Sequence, residues 1–156
     1  TPISLNMNIK SVMSHEFTQL VRLLSPSQRE KIIIEIHCVD LISDPGAFQF
    51  AHAYLSNIGF ELALDGTDIF SFPEFARHDV GFHYVKLGWD EALEGELTLS
   101  DLQRLDKAVR QLGSEKVILC HCGTARAMEF GHQVGVYNFQ GRHIDELLNP
   151  SLRRQN

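Results

Sequence analysis

The run Lys-Ile-Ile-Ile-Glu-Ile at 31–36 restricts the fold more than any other stretch of this chain. Its isoleucines do not alternate with polar residues, so both faces of the strand must be covered, as in parallel sheets. Covering both faces requires helices between strands, and the flanking sequence supplies them. Residues 3–9 read as a first strand. Ser14 caps a helix with Phe17, Leu20, Val21 and Leu24 on one face. Asp44-Pro45 opens another, cap before proline, with Phe48, Ala51, Leu55 and Ile58 facing inward until Gly59 ends it.

The alternation continues to the end of the chain. A strand at 60–65 precedes an irregular segment around 70–75, and a further strand is predicted at 82–87. Ser100 and Gln103 form a capping box for a helix that turns Leu102, Leu105, Val109 and Leu112 inward and stops at Gly113. Residues 116–120 are a strand. Thr124 caps a helix running to about Val134, and after Gly135 come a short strand at 136–139 and a last helix at 144–148. About six β/α units result, which implies a parallel sheet, open or closed into a barrel. Periodicity does not choose between the two.

At 156 residues and 44% hydrophobic content the chain suits one domain with a substantial core. The formal charge is −6 without a long basic run, which argues against a nucleic-acid polymer as partner; Arg153-Arg154 is too short to alter this. No stretch approaches the roughly 18 apolar residues of a membrane helix, so no membrane insertion is expected. Cys38, Cys120 and Cys122 lack the spacing of a disulfide framework, and reduced thiols in a cytoplasmic protein are the expectation. The opening Thr1-Pro2-Ile3-Ser4 resembles neither a signal peptide nor a natural start and reads as a cut within a longer protein.

Four polar residues occupy strands or strand ends: Asn6, Glu35, Asp65 and Lys86. In α/β proteins the C-terminal ends of buried strands are where catalytic groups gather. Their motifs carry a resemblance. Ser-Leu-Asn-Met-Asn (4–8) with Met-Ser-His-Glu-Phe (13–17) is similar to "vNlS…dpeF", Ile-Ile-Glu-Ile (33–36) to "LEiTE", and Ala-Leu-Asp (63–65) to the start of "ALDDFGTG". Tyr-Val-Lys (84–86) resembles "yLKID", Val-Ile-Leu-Cys-His-Cys-Gly-Thr (117–124) falls where "VIAEGVET" belongs, and Phe-Gln-Gly-Arg (139–142) matches the terminal "QGy". In this order the motifs resemble those of the EAL domain family, bacterial cyclic di-GMP phosphodiesterases. The resemblance runs from Ile3 to about Pro150. It implies a (β/α)8 TIM-like barrel of EAL type, incomplete in this chain, which holds about the last six β/α units; such a barrel needs about 250 residues. On this reading 1–156 is a degenerate EAL domain lacking its first strands, the EAL motif and the arginine after it included.

The departures bear on chemistry. Gly66 stands in place of the second aspartate, Cys120 in place of the glutamate of "AEG", and Gly123 in place of the second glutamate of that motif. Gly88 stands where "KID" has its aspartate and Cys38 where "LEiTE" ends in glutamate. The family uses Mg²⁺ or Mn²⁺, and phosphodiester hydrolysis at such a site requires two ions held by oxygen ligands. Glycine offers no side-chain ligand and thiols suit softer metals. Asn6, Glu35 and Asp65 hold at most one ion, weakly, and no cofactor is expected. Asn6, Glu35, Asp65 and Lys86 are thus vestiges of a site, with Lys86 and Gln140 left to contact a nucleotide.

Other readings compete. Glu35 pairs with Lys86 as a buried ion pair, Asn6 bonds backbone at its strand end, and Asp65 caps its own loop. Cys120-His121-Cys122 with His37-Cys38 has zinc-binding chemistry but no zinc spacing, because Cys120 and Cys122 alternate with His121 along a strand. His37 and His121 are then ordinary strand-end residues. A reactive Cys120 thiol encouraged by Lys86 is a third chemistry. Gly141 serves a tight turn and Trp89 a half-buried anchor. The expected function is a catalytically inactive EAL-type signalling module in a larger bacterial protein, either a cyclic di-GMP receptor or a protein-interaction scaffold, self-associating through its open barrel edge. The alternative is a weakly active metal-dependent phosphodiesterase.

Overall fold

A computed structural model describes residues 2–78, 81–93 and 95–151. Arg153 and Arg154 lie outside the described residues. Within each of two units the strands follow chain order and pair in parallel, three in each, as a succession of β/α units demands. The chain divides into two compact units, 1–66 with 82–84 and 67–81 with 85–156.

The first unit begins with β1 (Ile3–Asn6), shorter than predicted because Asn8 caps a one-turn helix α1 (Ile9–Val12) by accepting from Ser11 N at 2.8 Å. Ser14 caps α2 (His15–Leu23) as expected, accepting from Phe17 N. Phe17 and Val21 are buried, whereas Leu20, placed on the inner face by pattern, is 42% exposed. A short α3 (Pro26–Arg29) leads into β2 (Ile32–His37). Ile34 and Ile36 are fully buried and Glu35 is buried between them, so the strand is covered on both faces.

A helix that the sequence pattern missed follows directly. In α4 (Cys38–Ser43) His37 is the cap, its Nδ1 accepting from Val39 N at 3.2 Å. Imidazole is an uncommon cap, which hid the start. Asp44 caps α5 (Pro45–Asn57) through Ala47 N at 2.9 Å, and Phe48, Ala51 and Leu55 are its buried face. Gly59 takes the left-handed conformation that ends the helix, φ +90°. Strand β3 (Glu61–Asp68) runs three residues past the predicted end. Within the first unit Leu62 and Leu64 are buried, and Phe48 packs on Phe82 with ring centroids 5.6 Å apart.

In the second unit the segment expected to be irregular is a helix, α6 (Phe72–His78), launched by Asp68, which accepts from Phe70 N and Ser71 N. Strand β4 (Tyr84–Gly88) precedes α7 (Leu99–Leu112). The capping box of α7 is Thr98 with Asp101 rather than Ser100 with Gln103: Asp101 N donates to Thr98 Oγ1, and Thr98 N to Asp101 Oδ2. The two boxes are two residues apart, and the earlier one starts the helix first. Leu105, Val109 and Leu112 are buried as predicted. Strand β5 (Val117–Cys120) and α8 (Ala125–Gln133) follow. Thr124 sits at the cap position of α8, but its buried hydroxyl makes no capping bond. Strand β6 (Asn138–Phe139) is half the predicted length, and α9 (Arg142–Leu148) closes the described chain.

Candidate functional site

Parallel register decides which side chains share a face. In the first unit Asn6 is the register partner of Glu35, Glu35 of Ala63, and His37 of Asp65. Because side chains alternate along a strand, Asn6, Glu35, His37, Ala63 and Asp65 belong to one face. The sequence-predicted Asn6, Glu35 and Asp65 are thus brought together. They line a hollow of about 250 Å³ with Met7, Asn8, His37 and Asp40. The sequence pattern raises His37 only in the zinc reading and does not raise Asp40. The signal for His37 was present, since a residue two beyond Glu35 on the same strand must share its face.

Local bonds fix how this hollow is furnished. Asp65 Oδ1 accepts from the next amide, Gly66 N, at 2.8 Å, inside β3 rather than in the loop that one reading of the sequence placed there. Gly66 has φ +81°, and a Cβ added there would collide with the imidazole of His37, reaching 2.7 Å from Cδ2 and closer still to Nε2 and Cε1. The Cys38 thiol donates to the Gly66 carbonyl at 3.2 Å. Since His37 Nδ1 accepts from Val39 N, the ring proton of the neutral imidazole belongs on Nε2, the atom against Gly66. An imidazole so arranged offers no lone pair to a metal.

The second unit carries the other predicted positions. Lys86 pairs in register with Ile118, and Gly88 with Cys120. Lys86 is 7% exposed, and its carbonyl accepts from the buried Thr67 hydroxyl at 2.6 Å. The space beside Gly88 is narrow: an added Cβ would lie 3.1 Å from the Thr67 carbonyl oxygen. The Cys120 thiol donates to Gln140 Oε1 at 3.5 Å. Gly141 is required by close approach of backbone, since a Cβ there would stand 2.6 Å from the Cys122 carbonyl oxygen. Gln140 and His143 also bond the Cys122 backbone, through Cys122 N to Gln140 O at 3.1 Å and His143 N to Cys122 O at 3.0 Å.

Two side-chain positions differ from the sequence expectation. Cys120, His121 and Cys122 do not alternate along a strand: β5 ends at Cys120, and His121 turns into the left-handed region at φ +64°. Trp89 is buried at 5% exposure rather than half-buried, stacked on Phe130 with centroids 4.2 Å apart. Among the described residues, no group of three or more His, Cys, Asp or Glu side chains is placed to hold a metal ion. Asn6, Glu35 and Asp65 place oxygen donors on one face of the first unit. None of the described helices is long and apolar enough to cross a membrane.

No protein-family model matches the sequence, and no curated protein matches it either. Solved structures do. The chain is similar to the Bacillus subtilis YkuI protein, solved with an EAL domain in complex with substrate c-di-GMP and calcium, at 15% identity and TM-score 0.68, over 97% of this chain and 42% of that one. It is similar to the Xanthomonas citri FimX EAL domain in complex with c-di-GMP at 14% identity and TM-score 0.69, over 90% and 58%. It is also similar to apo Vibrio cholerae LapD S helix-GGDEF-EAL at 18% identity and TM-score 0.68, over 92% and 36%. The chain spans less than two thirds of each of these relatives. Its fold is that of EAL domains, the (β/α)8 barrel expected from the motifs, of which it carries a part.

Proposed function

We propose that this chain is part of a degenerate EAL domain, lacking the strands that carry the EAL motif and acting in a larger bacterial protein as a non-hydrolysing signalling module that binds cyclic di-GMP. The observation that carries the reading is the hollow of the first unit. It keeps Asn6, Glu35 and Asp65 on one face, yet among the described residues no three His, Cys, Asp or Glu side chains are placed to hold a metal ion together. Two-ion hydrolysis needs both ions to polarise the phosphate and to generate hydroxide. Losing one preorganised charged group costs about two to three orders of magnitude in rate. At Gly66, Gly88, Cys120 and Gly123 this chain has no carboxylate to offer.

Nucleotide binding remains chemically reasonable without hydrolysis. Lys86 supplies positive charge and Gln140 an amide, and removing carboxylates lowers repulsion towards phosphates. The structural relatives solved with c-di-GMP support the ligand class. The test is calorimetric titration of cyclic di-GMP into the protein, with and without Mg²⁺, alongside chromatographic assay of the nucleotide. Micromolar or tighter binding without cleavage supports the receptor. No heat from folded protein points instead to a protein-interaction scaffold. Metal-dependent cleavage would overturn the reading in favour of a weak phosphodiesterase.

A further inference from the structure

His37, Cys38 and Gly66 interlock. The imidazole of His37 fills the space that a side chain at 66 would occupy, the Cys38 thiol donates to the Gly66 carbonyl, and Asp65 is tied to Gly66 N. Two of these residues, Cys38 and Gly66, stand at positions where the resemblance places acidic residues, and His37 stands between the glutamate and the last position of the same strand motif. They are far apart in sequence and meet through the register pairing of His37 with Asp65.

We infer that His37 and Gly66 form a coupled pair that closes this site to a second divalent ion, so that an aspartate at 66 alone does not reopen it. The inference rests on the reading of Gly66 as the place of a lost carboxylate ligand. The physical argument is steric and chemical together. A Cβ at 66 meets the ring rather than solvent, and the ring presents a donor, Nε2–H, where a cation needs an acceptor. At φ +81° a substituted residue is also strained, although aspartate tolerates the left-handed region better than most. The ring of His37 thus fills the space that a side chain at 66 needs, and reopening the site needs both residues changed.

The experiment is a double-mutant cycle of Gly66→Asp and His37→Thr, read by thermal unfolding and by calorimetric titration of Mn²⁺. Threonine keeps a cap for the helix that follows. Gly66→Asp alone is expected to lower Tm by roughly 4–10 °C through overpacking and strain. In the His37→Thr background at least half of that loss is recovered. Mn²⁺ affinity is expected to rise about tenfold or more in the double variant and in neither single one. Additive Tm changes would overturn the coupling. Tight Mn²⁺ binding by Gly66→Asp alone would overturn the closure. Coupled stability without any gain in Mn²⁺ affinity would keep the contact but overturn the ligand-position reading on which the inference rests. If Gly66→Asp fails to fold, Gly66→Ala completes the thermal half of the cycle, and the double variant alone reports on the ion.

Discussion

The Cys120 thiol donates to the Gln140 side-chain carbonyl at 3.5 Å, joining the end of one strand to the residue just past the next. The resemblance to EAL domains implies a catalytic carboxylate at the position of residue 120. Here it carries a buried, hydrogen-bonded thiol, 5% exposed, whose partner belongs to the Gln140-Gly141 element. A thiol reacts as its anion and only where reagent reaches it. Iodoacetamide is therefore expected to label Cys120 in the native protein far more slowly than in urea. Peptide mass spectrometry checks this, and rapid native labelling would restore the idea of a reactive cysteine.

Cys122 sets an alkaline limit on stability. Burial pushes its thiol up, against a smaller lowering from the Gln140 backbone contact. Its folded pKa lies above the unfolded one, so its contribution is intact below about pH 8.5 and is lost as pH rises towards the folded value. Urea midpoints measured from pH 7 upward should fall beyond that point, and Cys122→Ala should flatten the decline.

Asp68 works in the opposite direction. The Ser71 backbone N–H, then the Ser71 hydroxyl and Phe70 N–H, hold its carboxyl below the usual range, against a partial raise from burial. Its contribution is present above about pH 4 and is lost as pH falls through the lower folded value. Asp68→Asn should lower stability at neutral pH, flatten the acid decline and loosen the start of α6, which urea midpoints and far-UV circular dichroism against pH will show.

Left-handed His121 is a costly conformation for a residue with a Cβ. Relief of that strain, less the greater unfolded-state freedom of glycine, leaves His121→Gly roughly 0.5–1 kcal/mol more stable. Gly141→Ala should do the reverse and destabilise by about 1–3 kcal/mol, because the added carbon meets the Cys122 backbone. Denaturant unfolding followed through the single tryptophan, Trp89, reports both.

On the receptor reading, Lys86→Met should weaken cyclic di-GMP about tenfold or more by removing a charge-assisted contact to phosphate. Calorimetry measures the loss, and unchanged affinity would remove Lys86 from the binding surface.

By itself the sequence determined what depends on neighbours along the chain. Ser14 and Asp44 cap their helices because a side-chain oxygen and an amide three residues on are always within reach. The isoleucines of β2 announced burial on both faces because no pleated strand can hide them otherwise. The ordered motifs pointed to the barrel fold that solved structures share with this chain. Tertiary structure decided what depends on register and on meetings between distant residues. His37 looked like an ordinary strand end until pairing with Asp65 set it against Gly66, and only then did the glycine become space for a ring. The thiol of Cys38 found the Gly66 carbonyl, and that of Cys120 the amide of Gln140, through contacts with no trace in local pattern. Local hydrogen bonds are written into short spacings, whereas the fit between residues on separate strands exists only after the strands have paired.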